Sequence, residues 1–533
     1  MKSFLIMNKE LELFISGINK AVDYVRITMG PRGRNVVMAK RYGPPSISND
    51  GLNILRQVKF TDPYENAGAQ LVIALAERMN ELAGDATTTV SVLFQALVNE
   101  SFRNALPGVD VMALGRGMEK ASIDIVAELE AMKRPIRTKE QIRQIATISV
   151  ENKELGDIIA DTVQKVGKDG VVTVEESPEF GIRSEIVEGM EFDSGYVSIG
   201  MVTSLEKRLA EYTEVPILIT DKKISVFKEL LPIMEAVAKS GAKGLVIIAD
   251  EIEGQALQTL VINKLQGGLP VLAIKAPAFG AQKKEILADI AVVVGAKVID
   301  DTIKLEEVKL DMLGKAQRVR STDKLTKIIG GYGKKNQIKG RIEQLKEQVK
   351  EINIKYEKEK LQERIGKLAG GVAIIHVGAP TEREAGYKKD KIEDSVNATR
   401  GAMQDGISTG GGSAFVKVIK NLEQKQRMDT GQKTRMDGED IGYRIVLKSL
   451  SVPLEQIATN VGKEDGKVIV YKVQQGGKNC GYDALNDTIV QDMFVAGIID
   501  SVRSVKTAVQ LAVSEAATLI TAGPVLVEDI KDS

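Results

Sequence analysis

Six residues, Gly84-Asp85-Ala86-Thr87-Thr88-Thr89, separate two long helical patterns and constrain how this chain turns between them. Apolar residues recur at helical spacing from Ala67 to Ala83, and again from Thr87 towards Asn104. Three consecutive threonines are poor helix-interior residues, because branched side chains crowd the preceding turn. They suit a helix N-terminus, where hydroxyls and free backbone N–H groups can meet an anion. An aspartate immediately before them can hold the Mg²⁺ that accompanies such an anion.

Three other segments have a related character: Thr28-Met29-Gly30-Pro31-Arg32-Gly33, Gly410-Gly411-Gly412 and the acid Asp394. They are far apart in a chain of 533 residues, a length that implies about two to four domains. The 43% apolar content is enough for globular cores. Lys plus Arg equals Asp plus Glu at 73 each, which excludes a nucleic-acid binder driven by bulk charge. The single cysteine, Cys480, forms no internal disulfide and reads as a packed thiol. The single histidine, His376, excludes a multi-histidine metal site; in the strand-like Val372 to Val377 run it reads as structural. No run of about 18 apolar residues appears, so no membrane span is expected. The N-terminus, with Phe4-Leu5-Ile6 followed by Glu10 and Glu12, resembles neither a secretory signal nor an Arg-rich transit peptide. The expected location is cytoplasmic.

Residues 1–131 read as mostly helical, and 406–533 are again helix-rich; both carry phosphate-type features and are expected to fold together. Between them, Leu245 to Ala249, Val271 to Ile274 and Ile290 to Val294 are short apolar runs that read as buried strands of an α/β domain. Ile338, Ile342, Leu345, Val349 and Ile352, then Leu361, Ile365 and Leu368, have the spacing of a pair of packed helices.

The order of motifs resembles the group I chaperonins over essentially the whole chain. Ile27 to Val36 is similar to that family's first phosphate loop, and Gly84 to Thr89 to its metal-binding acid and threonine cluster. Val187-Glu188-Gly189-Met190, Lys275 to Gly280, Glu359 to Arg364, Lys367 to Ala373, Glu393-Asp394 with Ala398-Thr399-Arg400, Gly481-Tyr482 and Gly497 to Asp500 follow in the family's order. The resemblance implies a multidomain α/β protein: a helical equatorial domain (1–131 and 406–533), a small α/β intermediate domain (132–188 and 372–405) and an α/β apical domain (189–371). Gly189 and Gly370-Gly371 lie at the junctions, where the resemblance implies a hinge that needs φ/ψ freedom; the residues by themselves favour an ordinary turn.

By the same resemblance, Thr28, Met29, Gly30, Pro31, Ala86, Thr87, Thr88 and Thr89 cradle ATP phosphates and Asp85 holds Mg²⁺. Asp394 orients or activates the attacking water, and Asp50 assists near the γ-phosphate. Gly411 admits the nucleoside, Asp500 contacts ribose, and Asp483 with Ala484 lies at the adenine. Three positions of this nucleotide site depart from the family: Ala86 replaces Gly, Asn49 replaces Lys and Asp483 replaces Asn. Asn49 calls the family's K⁺ dependence into question. For an isolated Asp, a cap or a surface acid is the plain alternative.

The resemblance also assigns capture of unfolded polypeptides to Tyr196, Met201, Leu231, Met234, Leu257, Val261 and Ile262. Leu231 with Met234, and Leu257 with Val261 and Ile262, fall at helical spacing; core packing is the plain alternative. The implied partners are unfolded polypeptides, a co-chaperonin lid and copies of the same chain in seven-membered rings expected to stack in pairs. Ser194, Glu455 and the Glu528–Ser533 terminus depart from the family at assembly positions. The implied function is ATP-dependent folding of non-native chains inside a ring cavity. Two rivals are a metabolic ATP-dependent enzyme, for which no acceptor-binding constellation is found, and a scaffold that has lost turnover, against which Asp50, Asp85 and Asp394 argue.

Overall fold

The structure, a computed structural model, describes residues 9–39, 45–105, 109–167, 170–205, 207–351, 355–430, 437–463, 465–522 and 527. The readings made at Phe4-Leu5-Ile6, Ile352 and Glu528–Ser533 lie outside them. The chain divides into two compact units: Met1–Asp161, Glu176–Gly181 and Val377–Ser533 form the first, and Thr162–Glu175 with Ile182–His376 the second.

The first unit is mainly helical. Helices Lys9–Arg26, Pro63–Ala83, Thr87–Asn104, Val111–Met132, Gly438–Ser449 and Val502–Thr521 surround one core containing Ile18, Leu55, Met79, Phe94, Leu97, Met118 and Val509. Fully burying a side chain of this kind contributes roughly 1.5–3 kcal/mol. The Val502–Thr521 helix packs against three of the N-terminal helices, so the two ends of the chain fold together as expected. Local chemistry starts these helices. Asp62 caps Pro63–Ala83 by accepting from the N–H groups of Tyr64 and Glu65, with proline at the first helical position. Asp437 and Asp440 form a reciprocal capping box on Gly438–Ser449. Gly17 and Gly68 let two helices cross at backbone contact: an added Cβ would lie 1.9 Å from the Glu65 carbonyl oxygen and 2.1 Å from that of Phe14. Helices Lys139–Val150 and Glu382–Asp405 pack together, with Ile145, Ala398 and Ala402 in a smaller apolar cluster.

The second unit is built on a mixed sheet. Its order is Val271–Lys275, Leu245–Ala249, Ala210–Thr220, Gly314–Ser321, Thr326–Gly331 and Gly189–Phe192, with Val298–Ile299 also on Ala210–Thr220. The first three strands are parallel, with Leu245–Ala249 and residues 271–274 apolar and buried throughout, and the last three pair antiparallel. Helices Lys335–Glu351 and Lys355–Gly370 form the expected pair, burying Ile338, Leu345, Leu361 and Leu368.

One expected strand is corrected. Ile290 to Val294 ends the helix Gly280–Val294, which Gly295 terminates at φ 75°. Five consecutive apolar residues do not distinguish a strand from a buried helical turn, and here Leu287, Ile290, Ala291 and Val294 share a buried helical face. The junction glycines have local reasons. A Cβ at Gly189 would lie 2.4 Å from the Ile328 carbonyl oxygen, and Gly371 holds φ at 62°. His376 is paired with Glu185 at 2.9 Å.

Candidate functional site

The candidate nucleotide residues lie in the first unit and are brought together by segments far apart in the chain. The Thr87–Asn104 helix starts directly after Asp85 and Ala86. Its first intrahelical bond runs from the Val90 N–H to the Ala86 carbonyl, and no side chain caps it. The donors of the Thr87, Thr88 and Thr89 turn therefore form a positive helix end suited to an anion. Ala86 adopts φ 64°, a left-handed conformation, and donates its N–H to Asp85 Oδ1 at 2.6 Å. The departure from glycine noted in the sequence thus falls on a backbone geometry that glycine adopts without a steric penalty.

Asp50 faces this helix end. It caps the short helix Gly51–Leu55, accepting from Leu52 N–H at 3.1 Å and Asn53 N–H at 3.2 Å. Gly51 abuts the threonines: a Cβ there would lie 2.3 Å from Thr88 Oγ1 and 3.2 Å from Thr87 Oγ1. Asp394 is supplied by the Glu382–Asp405 helix, which rests on the acid loop through Asn397. A Cβ at Gly84 would lie 2.4 Å from the Asn397 Cβ. Burial first, then the charges of Asp50 and Asp85, holds the Asp394 carboxyl well above the usual range. Burial also raises Asp50 and Asp85, with Lys391 opposing the shift in all three. Lys391 is itself held by Glu151 at 3.2 Å.

Sequence reasoning passed over a fourth carboxyl. Asp390 lies one helical turn before Asp394 and accepts from Asn53 Nδ2 at 2.7 Å. Burial, then the charges of Asp50 and Glu393, pushes it up to about 6. The i, i+4 spacing of two acids on one helix was the available signal; the role of Asn53 had none. Among the described residues no group of three or more His, Cys, Asp or Glu is arranged to hold a metal ion. Mg²⁺ bound with a nucleotide requires only one or two carboxylates, its other ligands being water and phosphate oxygens. Asp85, a hard oxygen donor beside two other carboxyls whose repulsion a cation would relieve, fits that requirement.

The glycine loop closes another side. Gly411 and Gly412 hold φ at 60° and 75°, and a Cβ at Gly410 would lie 3.1 Å from Asp500 Oδ1. Asp500 accepts from the Gly411 N–H, yet burial and the neighbouring Asp85 push it up to about 7. The Thr28 to Gly33 loop is pinned from the Val452–Val461 helix. Asn460 Nδ2 donates to the carbonyls of Arg26 and Met29 at 2.9 Å each, Gln456 accepts from Arg26 at 2.6 Å, and Gly30 packs on Ile457. Thr28 and Met29 are buried, the Thr28 hydroxyl donating to the Val25 carbonyl at 2.8 Å, while Pro31 is exposed in the turn. Arg32 reaches the Leu485 carbonyl at 2.7 Å and so joins this loop to the turn carrying Asp483 and Ala484. Both Asp483 oxygens serve that turn, Oδ1 accepting from Leu485 and Asn486 N–H and Oδ2 from the Asn486 amide at 2.8 Å; Ala484 is buried.

The apolar candidates lie in the second unit and separate by exposure. Leu231 is 41% and Ile262 51% exposed, while Tyr196, Leu257 and Val261 are half-buried. Met201 and Met234 lie in the core at 0% and 6% exposure, so for these two the packing alternative describes this conformation. Leu265, not singled out in the sequence, is 75% exposed on the same Gly254–Leu265 helix as Ile262. Tyr196 lines a cavity of about 460 Å³ with Lys275, Asp323 and Lys324.

Comparison with known proteins adds two findings. The chaperonin gp146 from the bacteriophage EL 2 (Pseudomonas aeruginosa), crystallised in the presence of ATP-BeFx, superposes with a TM-score of 0.72 at 20% identity, over 97% of each chain. That likeness establishes a chaperonin fold. The sequence profile of the TCP-1/cpn60 chaperonin family matches residues 22–529. The chain belongs to the TCP-1/cpn60 chaperonin family, and its role is that of a chaperonin in protein folding.

Proposed function

We propose that this chain is the subunit of an ATP-driven folding machine that binds non-native polypeptides and promotes their folding inside a ring cavity. The observation that carries this reading is the convergence of Asp50, Asp85 and Asp394 on the uncapped start of the Thr87–Asn104 helix. A helix end with free donors suits the phosphates, Asp85 suits the accompanying Mg²⁺, and positioned acids complete a phosphoryl-transfer site. Asp394, with its raised proton affinity, is the stronger base and is assigned to the attacking water, with Asp50 near the γ-phosphate. Thr28 to Pro31 and Ala86 to Thr89 form the cradle, Gly411 and Asp500 hold the nucleoside, and Asp483 with Ala484 borders the base. Asn49 places a neutral amide beside Asp50, and its buried Oδ1 has no hydrogen-bond partner among the described residues. The response to K⁺ is assigned to this position.

The equatorial, intermediate and apical boundaries given above are part of the proposal, as are seven-membered rings stacked in pairs and a co-chaperonin lid. Leu231, Ile262 and the half-buried Leu257, Val261 and Tyr196 supply the client-binding surface. No helix among the described residues is long and apolar enough to cross a membrane. Negative-stain electron microscopy of the purified protein, combined with capture of a denatured client, tests the reading. Seven-fold rings that retain the client support it, and a monomer that ignores denatured chains rules it out.

A further inference from the structure

Asn53 touches two acids at once. Its backbone N–H donates to Asp50 Oδ2 at 3.2 Å, and its side-chain Nδ2 donates to Asp390 Oδ2 at 2.7 Å. Asp390 and Asp394 are four residues apart on one helix and therefore share a face. A single asparagine thus joins the short Asp50 helix to the Asp394 helix, in line with the two acids assigned to hydrolysis. The Asp394 helix is held elsewhere by Asn397 over Gly84 and by Lys391 on Glu151. Neither of those contacts reaches the Gly51–Leu55 helix.

We propose that Asn53 and Asp390 form a positioning latch that fixes the distance between Asp394 and Asp50 during ATP hydrolysis. Asp390 need not touch the nucleotide; it acts by holding the helix that presents Asp394. The neutral amide suits this task, because it binds the carboxylate without adding a cation that would compete with Lys391 for the neighbouring acids. A displaced acid or base loses rate steeply with distance, whereas ground-state nucleotide binding through the threonine helix and the glycine loop does not depend on the latch. The inference rests on the assignment of Asp394 to hydrolysis.

The test is steady-state ATP turnover of the full chain. The variants are Asn53→Ala, Asp390→Ala, the swapped pair Asn53→Asp with Asp390→Asn, and Asp394→Ala as reference. Each single alanine variant is expected to lower kcat about tenfold with KM within about twofold of the parent, the split that marks lost positioning. The swapped pair keeps one donor and one acceptor across the gap, and is expected to recover kcat to within about threefold of the parent. The two alanine variants approach the bond from opposite sides, so failure of one to fold leaves the other as the test. Parental kcat in both alanine variants, or no recovery in the swapped pair, overturns the latch while loss of turnover in Asp394→Ala leaves the hydrolytic assignment standing. Parental turnover in Asp394→Ala overturns both.

Discussion

Ala86 donates its backbone N–H to Asp85 Oδ1 at 2.6 Å while its own φ is held at 64°. Closure of the loop on the metal-binding candidate therefore places a residue with a Cβ in the left-handed region, a conformation costing about 1–2 kcal/mol for an L-residue other than glycine. Ala86→Gly removes that penalty but adds backbone freedom to the unfolded chain. The expected net gain is about 0.5–1 kcal/mol, read as a higher denaturant midpoint. A lower midpoint would show that the methyl group contributes packing that outweighs the strain.

The exposed and buried members of the apolar set should respond differently to the same chemistry. Ile262→Ser with Leu265→Ser changes two side chains that are 51% and 75% exposed. This variant is expected to keep its fold and ATP turnover while losing at least about tenfold in affinity for a denatured client, by removal of apolar contact area. Met234→Ser is expected to destabilise the protein by about 2–4 kcal/mol instead, because it opens a cavity and buries a hydroxyl. Light-scattering assays of client aggregation and thermal melts separate the two outcomes. Unchanged client capture by the double variant would remove this helix from the binding surface.

Asn49 stands where the resemblance to the group I chaperonins implies a lysine. A neutral amide does not replace a full positive charge near phosphate oxygens. Turnover is expected to depend on K⁺ differently from a typical relative, and Asn49→Lys to shift the curve towards theirs. Rates measured against K⁺ concentration at fixed Mg²⁺ decide the point, and superimposable curves for the two proteins would refute it.

Asp500 predicts a pH effect on stability. Its carboxyl is raised from 3.8 to about 7 in the folded chain, chiefly by burial and secondly by Asp85. Between those values the folded state binds more protons than the unfolded state, so this group's contribution to stability falls as pH rises through the interval. Asp500→Asn removes the titration and is expected to flatten the decline between about pH 4 and 7 in nucleotide-free protein. Parallel stability curves for parent and variant would show that Asp500 does not carry the effect.

The legible parts of the sequence were those with a long period or an abrupt break. The apolar repeats flanking Gly84-Asp85 delimit helices that end at Ala83 and begin at Thr87. The shorter run Ile290 to Val294 carried no period and became the end of a helix. Isolated polar residues were illegible for another reason: Asn53, Asp390, Gln456 and Asn460 acquire meaning only from partners hundreds of residues away in the chain. Helical spacing grouped Leu231 with the buried Met234, because periodicity identifies a shared face without stating whether a sheet or solvent lies opposite. The hydrogen bonds by which both Asp483 oxygens hold their own turn had no signal in the sequence, because they depend on the local backbone path through Leu485 and Asn486.

The most direct test of the account is ATP turnover by purified parent protein and Asp394→Ala, measured at saturating nucleotide with binding measured in parallel. The account predicts that the variant binds nucleotide within about threefold of the parent and hydrolyses it at least about tenfold more slowly, as expected for loss of a positioned acid or base. Parental turnover in Asp394→Ala would contradict it, because the convergence of carboxyls on the threonine helix would then not be a site of hydrolysis.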